Sequence, residues 1–447
     1  MTELGEVQNL NQLVQLMRQH GAETIVYKRL APNDNSKNQI YLGAGYDALQ
    51  LIPMGEVLAD KSRKDSMRDR FKAKLNFYWV SPSGNLFHAP SAQLIFYPKY
   101  PEVRFSGFLK GAQQRPGNLL TSRIEGRVLI LGFTSDRRVI GHVIDVRNQL
   151  AGELRKYDQS QPDTTLKFVY GPENAGGDRD RLLADLKEIS EMGWVDSFRL
   201  SSNGDKLPYE ASNGGGYTLE GLLGIIPNGL NEPDYLGWEL KQHSTGKLDQ
   251  PLSGQALTLM TPEPTAGFYK LRGVVEFVKT FGYPDKKGIR DRFNFGGIHK
   301  VDVRTELTGL TLMLQGYDKN KCMITDVEAG VALVADDGEV AAIWDYSSLL
   351  EKWNRKHQKA VYIASKKRIC DHIQYTYGHV VALAEGTSFQ KFLNGMAKKI
   401  VYYDPGIKVE NIYSEKPKSK KRNQFRVHSG DVPILYERIE LVDLRGI

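Results

Sequence analysis

Hydrophobic and polar residues alternate with two different periods along this chain of 447 residues. Near the N-terminus, apolar residues recur with helical spacing over residues 7–20, which predicts an amphipathic helix. Short apolar runs bounded by turn residues follow, and they predict strands at Glu23–Leu30, Gln39–Leu42, Leu75–Val80, Ala92–Tyr97, Arg127–Phe133 and Val139–Val146. We therefore expect a mostly β N-terminal domain over residues 1–160.

The second half of the chain has a different pattern. Residues 161–175 lie in a polar stretch that contains proline and glycine, and this composition predicts a linker. Asp178–Met192 then has the spacing of an amphipathic helix, and mixed helical and strand patterns continue to the end of the chain. We expect a second domain of mixed α and β structure over residues 176–447.

Composition narrows the class of protein. With 40% hydrophobic and 25% charged residues the chain is typical of globular proteins, and no apolar run reaches the ~20 residues that span a bilayer. The acidic N-terminus lacks the layout of a signal peptide. The two cysteines, Cys322 and Cys370, match no zinc spacing, and we expect both to be small core residues. These features predict a cytoplasmic protein without a membrane partner.

The positive charge is unevenly distributed. The net charge is +7, and residues 1–165 hold 22 Lys and Arg against 16 Asp and Glu, a local excess of +6. The remainder of the chain has 38 against 37, an excess of +1. A basic module beside a nearly neutral region favours a polyanion-binding domain joined to a catalytic one.

The most informative short segment is Pro233–Lys241, which has the pattern of a β-strand. Alternation along a strand places Glu239 and Lys241 on one face, with Asp234 nearby. Charges on a packed sheet need partners. A divalent cation would pair the two carboxylates and leave the lysine free to act on a water molecule, which is the chemistry of phosphodiester hydrolysis. A solvated charged strand is the alternative.

The surrounding sequence resembles the MvaI/BcnI-like type II restriction endonucleases of the PD-(D/E)xK nuclease superfamily, over roughly residues 170–440. The matching segments are Gly214–Ile225, the Gly-x-Glu-Leu-Lys run 237–241, Pro251–Pro264, Tyr377–His379, Ala384–Phe389, Tyr403–Gly406 and Asn423–Arg426. The resemblance implies a restriction-endonuclease-like core, with a mixed sheet flanked by helices, that acts on double-stranded DNA. It also implies a monomer, with a dimer as the alternative.

The resemblance assigns roles to particular residues. Glu220, on a predicted helix over residues 217–224, matches the family's helix glutamate and joins Asp234, Glu239 and Lys241 as catalytic residues. Asp234 and Glu239 are expected to bind Mg²⁺, because hard carboxylate oxygens suit that ion. Lys241 is expected to orient the attacking water, and cleavage to leave a 5′-phosphate and a 3′-hydroxyl. The alternative for Glu220 is an exposed helix residue.

A basic segment, residues 416–428, contains six Lys and Arg residues and no acid. Such side chains suit phosphates and base edges. The candidates for DNA contact are Arg426 and His428, which match groove-reading positions of the family, with Lys420, Lys421, Arg422 and, two residues beyond Lys241, His243. A flexible solvated loop is the alternative for the segment, and a surface histidine for His243. Residues 61–74 form a second basic stretch, where a solvated helix is the main interpretation.

Residues 27–34 resemble the start of the B3-like DNA-binding domain of EcoRII-type enzymes, although the likeness ends after Asp34. A β-barrel of unknown role is the alternative there. For the whole chain, the leading hypothesis is a sequence-specific, Mg²⁺-dependent endonuclease. The alternatives are a repair- or defence-type nickase directed at mismatches or modified bases, and a DNA-binding protein with a vestigial nuclease core. The intact set of four catalytic candidates argues against the last.

Overall fold

The structure is a computed structural model, and it describes residues 7–44, 51–61, 69–99, 102–158, 165–171, 178–211, 213–227 and 233–447. The chain divides into two compact units, Met1–Asp180 and Arg181–Ile447. Helices and several sheets occur together, so the predicted mixed α and β fold class is confirmed at that level. No helix in the described part of the chain has the length and apolar character needed to cross a bilayer.

In the first unit, the described helices are α1 (Leu10–Gln19), α2 (Gly117–Thr121) and α3 (Gln149–Asp158). The described strands are β1 (Ala22–Leu30), β2 (Ile40–Ala44), β3 (Leu58–Asp60), β4 (Arg70–Lys74), β5 (Asn76–Val80), β6 (Leu86–His88), β7 (Gln93–Tyr97), β8 (Glu102–Ser106), β9 (Arg127–Thr134), β10 (Arg138–Ile144) and β11 (Lys167–Tyr170). Each of the six predicted strands overlaps one of these. Helix α1 begins where Asn9 caps it, accepting a hydrogen bond from the amide of Gln12.

The described strands of this unit form two sheets, in the strand orders β11-β1-β9-β10-β5-β6 and β2-β8-β7-β4-β3. The first sheet carries α1 and α3 against a core that includes Leu13, Ile25, Ile130 and Leu154. Strands β9 and β10 are buried along almost their whole length, because both of their faces are covered.

Two predictions for this unit differ from the structure: the helix in the basic stretch and part of the linker. Residues 62–68 of the basic stretch lie outside the described residues, but Arg70–Lys74 forms strand β4 and not a helix, because its apolar positions alternate and pair with β7. Within the predicted linker, residues 161–164 and 172–175 also lie outside the described residues. Lys167–Tyr170 is strand β11, paired antiparallel to β1, so that part of the segment belongs to the first unit's sheet.

The segment 27–34 forms the end of β1 and the turn after it. Lys28 Nζ lies 2.9 Å from Asp34 Oδ2, and both side chains are buried. The buried guanidinium of Arg127 donates hydrogen bonds to the carbonyl oxygens of Ala31 and Asp34, each at 3.2 Å. The Lys28–Asp34 ion pair and the hydrogen bonds from Arg127 stabilise the turn. The likeness of the segment to a B3-like domain stays a prediction.

In the second unit, the described helices are α4 (Asp178–Glu191, which begins three residues before the unit boundary), α5 (Gly214–Leu222), α6 (Phe268–Phe281), α7 (Tyr346–Lys356) and α8 (Phe389–Ala397), with 3₁₀ turns at Ser429–Leu435 and Leu444–Gly446. Its strands are β12 (Val195–Asp196), β13 (Phe198–Leu200), β14 (Lys206–Pro208), β15 (Glu239–Ser244), β16 (Ala256–Met260), β17 (Tyr283–Pro284), β18 (Phe293–Gly296), β19 (Arg304–Thr305), β20 (Leu310–Leu314), β21 (Tyr317–Asp318), β22 (Met323–Ile324), β23 (Gly330–Ala335), β24 (Val340–Asp345), β25 (Lys359–Ile369), β26 (Ile373–Glu385), β27 (Val401–Tyr403), β28 (Gly406–Glu410), β29 (Lys418–Lys420), β30 (Phe425–His428) and β31 (Arg438–Asp443).

The central sheet has the order β12-β26-β25-β15, with β31 also paired to β26. Strand β15 runs parallel to β25, with Glu239 opposite Ala360 and Lys241 opposite Tyr362, while the other pairs are antiparallel. Apolar residues of α4 and α5 pack on one face of this sheet, around the buried side chains of Trp238 and Leu240. Glu239 and Lys241 thus lie at the start of β15, an edge strand of the described sheet.

Smaller sheets complete the unit, in the orders β16-β30-β27, β17-β18-β28-β29 and β19-β20-β23-β24, with two-stranded pairs β13-β14 and β21-β22. Neither cysteine is a core residue, so that expectation is wrong. Cys370 is exposed and Cys322 is partly exposed, because both lie in turns that connect paired strands.

Candidate active site

A tight turn precedes strand β15. Tyr235 and Trp238 exchange backbone hydrogen bonds of 3.0 and 2.8 Å. The two residues between them, Leu236 and Gly237, both have positive φ, 47° and 76°. Two central residues with positive φ are typical of a type I′ turn, in which glycine is favoured because it has no Cβ. The segment predicted as one strand is therefore a turn followed by a strand that begins at Glu239.

The turn brings Asp234 back alongside the new strand. Its Oδ2 accepts a hydrogen bond of 3.0 Å from the amide of Leu240. Asp234 thus lies beside Glu239, although five positions separate them in sequence. The backbone itself fixes the relative position of the two carboxylates, which are the two predicted metal ligands.

Lys241 contacts the same carboxylate cluster. Its Nζ donates to Glu239 Oε1 at 2.7 Å and to the carbonyl oxygen of Leu259, on β16, at 3.3 Å. The Glu239 side chain is only 5% exposed and that of Lys241 16%. A charge-assisted hydrogen bond at this depth holds both groups in one orientation. Asp234, Glu239 and Lys241 are therefore brought together by the fold.

Glu220 approaches the cluster from helix α5. The helix can lie close to β15 because Gly215 faces Gln242, where a Cβ would come within 2.8 Å of the Gln242 side chain. Burial, together with the neighbouring charges of Asp234 and Glu239, raises the pKa of Glu220 to about 7. The fourth catalytic candidate therefore belongs to the same electrostatic group and is not an isolated exposed helix residue.

Besides Lys241, a second lysine faces the carboxylates: Lys356, at the end of α7. Lys356 Nζ lies 3.3 Å from Glu239 Oε2 and 3.7 Å from Asp234 Oδ1. Burial alone would lower the pKa of Lys356, but the attraction of Glu239 and Asp234 outweighs it and raises that pKa. The ammonium group thus stays charged between the two carboxylates.

The position of α7 follows from its own contacts. Asp345 caps its first turn by accepting a hydrogen bond of 2.8 Å from the amide of Ser348. At the other end, the buried ring of Trp353 stacks on the ring of His357, with centroids 4.3 Å apart. Burial, and then the charge of Lys241, lower the pKa of His357 to about 3, so this ring is neutral. These contacts fix the end of the helix beside the site.

The pKa values of Glu239 and Asp234 shift in opposite directions. Burial works against the charge of Glu239, but Lys241 and other cations outweigh it and lower its pKa. The pKa of Asp234 is raised by burial and by the charge of Glu239. Neighbouring carboxyl groups whose pKa values are shifted apart are typical of catalytic sites.

Sequence reasoning missed Lys356 and His357. They lie more than 110 positions beyond Lys241, in a helix end whose charges have the pattern of an ordinary solvated surface. Only the parallel pairing of β15 with β25 brings them to the site. No local spacing contains that information.

The donor set fits a hard divalent cation. Two carboxylates, Asp234 and Glu239, direct oxygen atoms to one ammonium position, and Mg²⁺ commonly uses one or two carboxylates and keeps several waters. Among the described residues, no group of three or more His, Cys, Asp and Glu side chains has an arrangement that could hold a metal ion. Glu220 therefore does not form a three-carboxylate cage with the other two.

The predicted DNA contacts lie elsewhere in the unit. Arg426, on β30, donates to Asp404 Oδ2 at 2.6 Å and to the carbonyl oxygen of Ala256 at 2.7 Å. The guanidinium is therefore engaged with the protein in this structure. Each contact uses one of the two N–H groups on a terminal nitrogen, so these contacts do not use all five donors of the guanidinium.

The remaining candidates differ in exposure. The exposed ones are His428, Lys420, Lys421 and Arg422. Lys421 lies 3.8 Å from Glu263, and His428 accepts a weak hydrogen bond of 3.4 Å from Gly430. Two parts of the segment are strands and not loop, namely β29 and β30. His243 is 7% exposed and therefore not a surface histidine, and burial lowers its pKa.

Comparisons with known proteins identify the family of the chain. The sequence model of the MvaI/BcnI restriction endonuclease family matches residues 183–436. A solved structure of restriction endonuclease MvaI with cognate DNA is similar over 59% of this chain and 97% of that one, at 16% identity and a TM-score of 0.44. The corresponding values for MvaI without DNA are the same coverage, 14% identity and a TM-score of 0.32. No curated protein matches the chain. Because the family model covers more than half of the sequence, the chain belongs to the MvaI/BcnI restriction endonuclease family.

Proposed function

We propose that the protein is a Mg²⁺-dependent type II restriction endonuclease that cleaves double-stranded DNA at a short specific sequence. The observation that carries the proposal is the convergence of Asp234, Glu239 and Lys241 at the start of β15. Hydrolysis of a phosphodiester needs an activated water and compensation of the growing negative charge. These three side chains are suited to both requirements.

Each residue has a definite part in this mechanism. Asp234 and Glu239, with a backbone carbonyl near Leu240, would hold Mg²⁺. When bound, the ion would polarise the scissile phosphate and lower the pKa of a water ligand. Lys241 is held by Glu239 and by the carbonyl of Leu259, so its ammonium is oriented in advance to hold the attacking water and face the phosphoryl oxygens. Attack at phosphorus with departure of the 3′ oxygen leaves a 5′-phosphate and a 3′-hydroxyl.

Glu220 acts on the site through its charge. Burial and the neighbouring Asp234 and Glu239 raise its pKa to about 7, so its charge is sensitive to the cations around it. A cation in the cluster would favour the ionised form, which would strengthen the negative field around Lys241. Glu220 thus tunes the site, and Asp234 and Glu239 would be the direct ligands.

DNA binding is supported by the exposed cations of β29 and of the residues that follow it. Lys420, Lys421 and Arg422 are suited to phosphate contacts, and Arg426 and His428 to base edges. The basic first unit would add non-specific affinity through further phosphate contacts. A monomer located in the cytoplasm is our working hypothesis for the active form.

A cleavage assay with a matched control tests the proposal. Purified wild-type protein and the variants Lys241→Met and Lys247→Met are each incubated with a long duplex DNA and Mg²⁺. Lys247 is exposed three residues beyond β15, so its loss removes the same charge without touching the carboxylates. We expect discrete fragments from the wild type and from Lys247→Met, and none from Lys241→Met. Equal cleavage by all three proteins contradicts the mechanism.

A further inference from the structure

A second lysine of the site has no part in the mechanism above. Lys356 Nζ lies 3.3 Å from Glu239 Oε2 and 3.7 Å from Asp234 Oδ1, while Lys241 takes the other oxygen of Glu239. Each of the two carboxylates thus directs an oxygen at the same ammonium group. The Lys356 side chain is 24% exposed, so the contact is neither deeply buried nor fully screened by water.

This ammonium has the partners that a divalent cation would have. With Lys241 and Lys356 charged, two positive groups balance Asp234 and Glu239 before any metal ion arrives. A divalent cation bound by the oxygens that face Lys356 would lie within a few ångströms of its Nζ, and like charges at such separations repel strongly. Cation binding and the present position of Lys356 are therefore mutually unfavourable.

The lysine stem allows an exchange. Lys356 is the last residue of α7, whose end is held by the stacking of Trp353 on His357, while the ammonium itself ends a flexible chain of four carbons. The head group can therefore leave the carboxylates without any movement of the helix. The anion that a nuclease brings to this place is the scissile phosphate, which offers such an ammonium a new partner.

We propose that Lys356 is a built-in competitor of the divalent cation: it occupies the place between Asp234 and Glu239 in the DNA-free protein and keeps metal affinity low until a DNA phosphate draws it away. This inference rests on the proposed function and deepens it, because it names what regulates metal loading. Lys356 is in this account a positioning residue. Its consequence is that the metal loads together with DNA and not before it.

The test measures cation binding without DNA and without catalysis. Mn²⁺ is titrated into the full-length metal-free protein, and the free ion is followed by electron paramagnetic resonance, with Mg²⁺ as the competitor. The variants are Lys356→Met, Lys356→Gln and the control Lys352→Met, which removes a lysine one turn earlier on the same helix. Circular dichroism first establishes that each variant is folded, and the two substitutions at Lys356 guard against a packing effect of either one.

We expect both Lys356 variants to bind Mn²⁺ about tenfold more tightly than the wild type and Lys352→Met to bind like the wild type. Unchanged or weaker binding by the Lys356 variants overturns the inference and leaves a purely structural ion pair. Adding Asp234→Asn to Lys356→Met should abolish the gain. If Mn²⁺ binding in that double variant is unaffected, the cation does not use this site, and the proposed metal chemistry itself fails. The two failures are thus distinguishable.

Discussion

Replacing Glu220 by glutamine tests the electrostatics of the site in the absence of DNA and metal. Burial, and then Asp234 and Glu239, raise the pKa of this carboxyl group from its ordinary value of 4.5 to about 7. A carboxyl group with a raised pKa in the folded state binds its proton more tightly when folded than when unfolded. Its contribution to stability is therefore fully present below about pH 4.5 and is lost as the pH rises to about 7.

The size of the effect follows from the two pKa values. One pKa unit corresponds to about 1.36 kcal/mol, so the ionised Glu220 costs up to roughly 3 kcal/mol of folding free energy above pH 7. Glutamine keeps the shape of the side chain and cannot ionise. The variant Glu220→Gln should therefore be more stable than the wild type by up to roughly 3 kcal/mol at pH 8, and by less than about 1 kcal/mol at pH 5.

Thermal unfolding of the full-length, metal-free protein between pH 5 and pH 8.5 measures this difference. For a unit of this size, 1 kcal/mol shifts the midpoint by about 2–4 °C, so a rise of roughly 6–12 °C is expected at pH 8. Glu210→Gln is the control, because Glu210 is an exposed residue of the same unit. A difference that does not vary with pH, or a variant less stable than the wild type at pH 8, refutes the reasoning.

Three further predictions concern cleavage and binding. Asp234→Ala and Lys241→Ala should each abolish cleavage while DNA still shifts in a gel, because they remove site chemistry and leave groove contacts; near wild-type cleavage by either contradicts the assignment. A fragment of residues 178–447 should fold and keep its sequence preference while its affinity falls less steeply with salt, as filter binding at several salt concentrations would measure; random cutting places recognition in the first unit. Arg426→Ala should lower the folding stability by ~1–3 kcal/mol, because its contacts are lost, and should relax the sequence preference at one base pair. Lys420→Ala should instead weaken DNA binding equally on all sequences. Competition against single-base variants of the site separates these two outcomes.

Much of the candidate catalytic group is predictable because its members are local in sequence. Asp234, Glu239 and Lys241 fall within eight positions, and the family resemblance supplied Glu220. The turn at Leu236 and Gly237 was not predicted, since a leucine with positive φ is uncommon and its hydrophobic side chain fits a strand pattern. The turn nevertheless decides the geometry, because it returns Asp234 to the amide of Leu240.

Other features depended on contacts that are distant in sequence. Lys356 reaches the site only because β15 pairs with β25. The charges around it at the end of the helix do not distinguish it from an ordinary surface lysine. Arg426 is predicted from its family position, but its guanidinium is engaged by Ala256 on β16 and by Asp404, which directly follows β27. The basic segment around Lys420 has a loop-like composition and still forms a strand, because β28 provides a backbone to pair with.

Sequencing the ends of cleaved DNA tests the central claim most directly. A DNA of known sequence is incubated with the purified full-length protein, with Mg²⁺ or with a chelator, and all termini are mapped. We predict discrete double-strand ends at one recurring short sequence, with 5′-phosphates, only when Mg²⁺ is present. Single-strand nicks confined to mismatched or modified bases, or DNA that is bound and never cut, would contradict it.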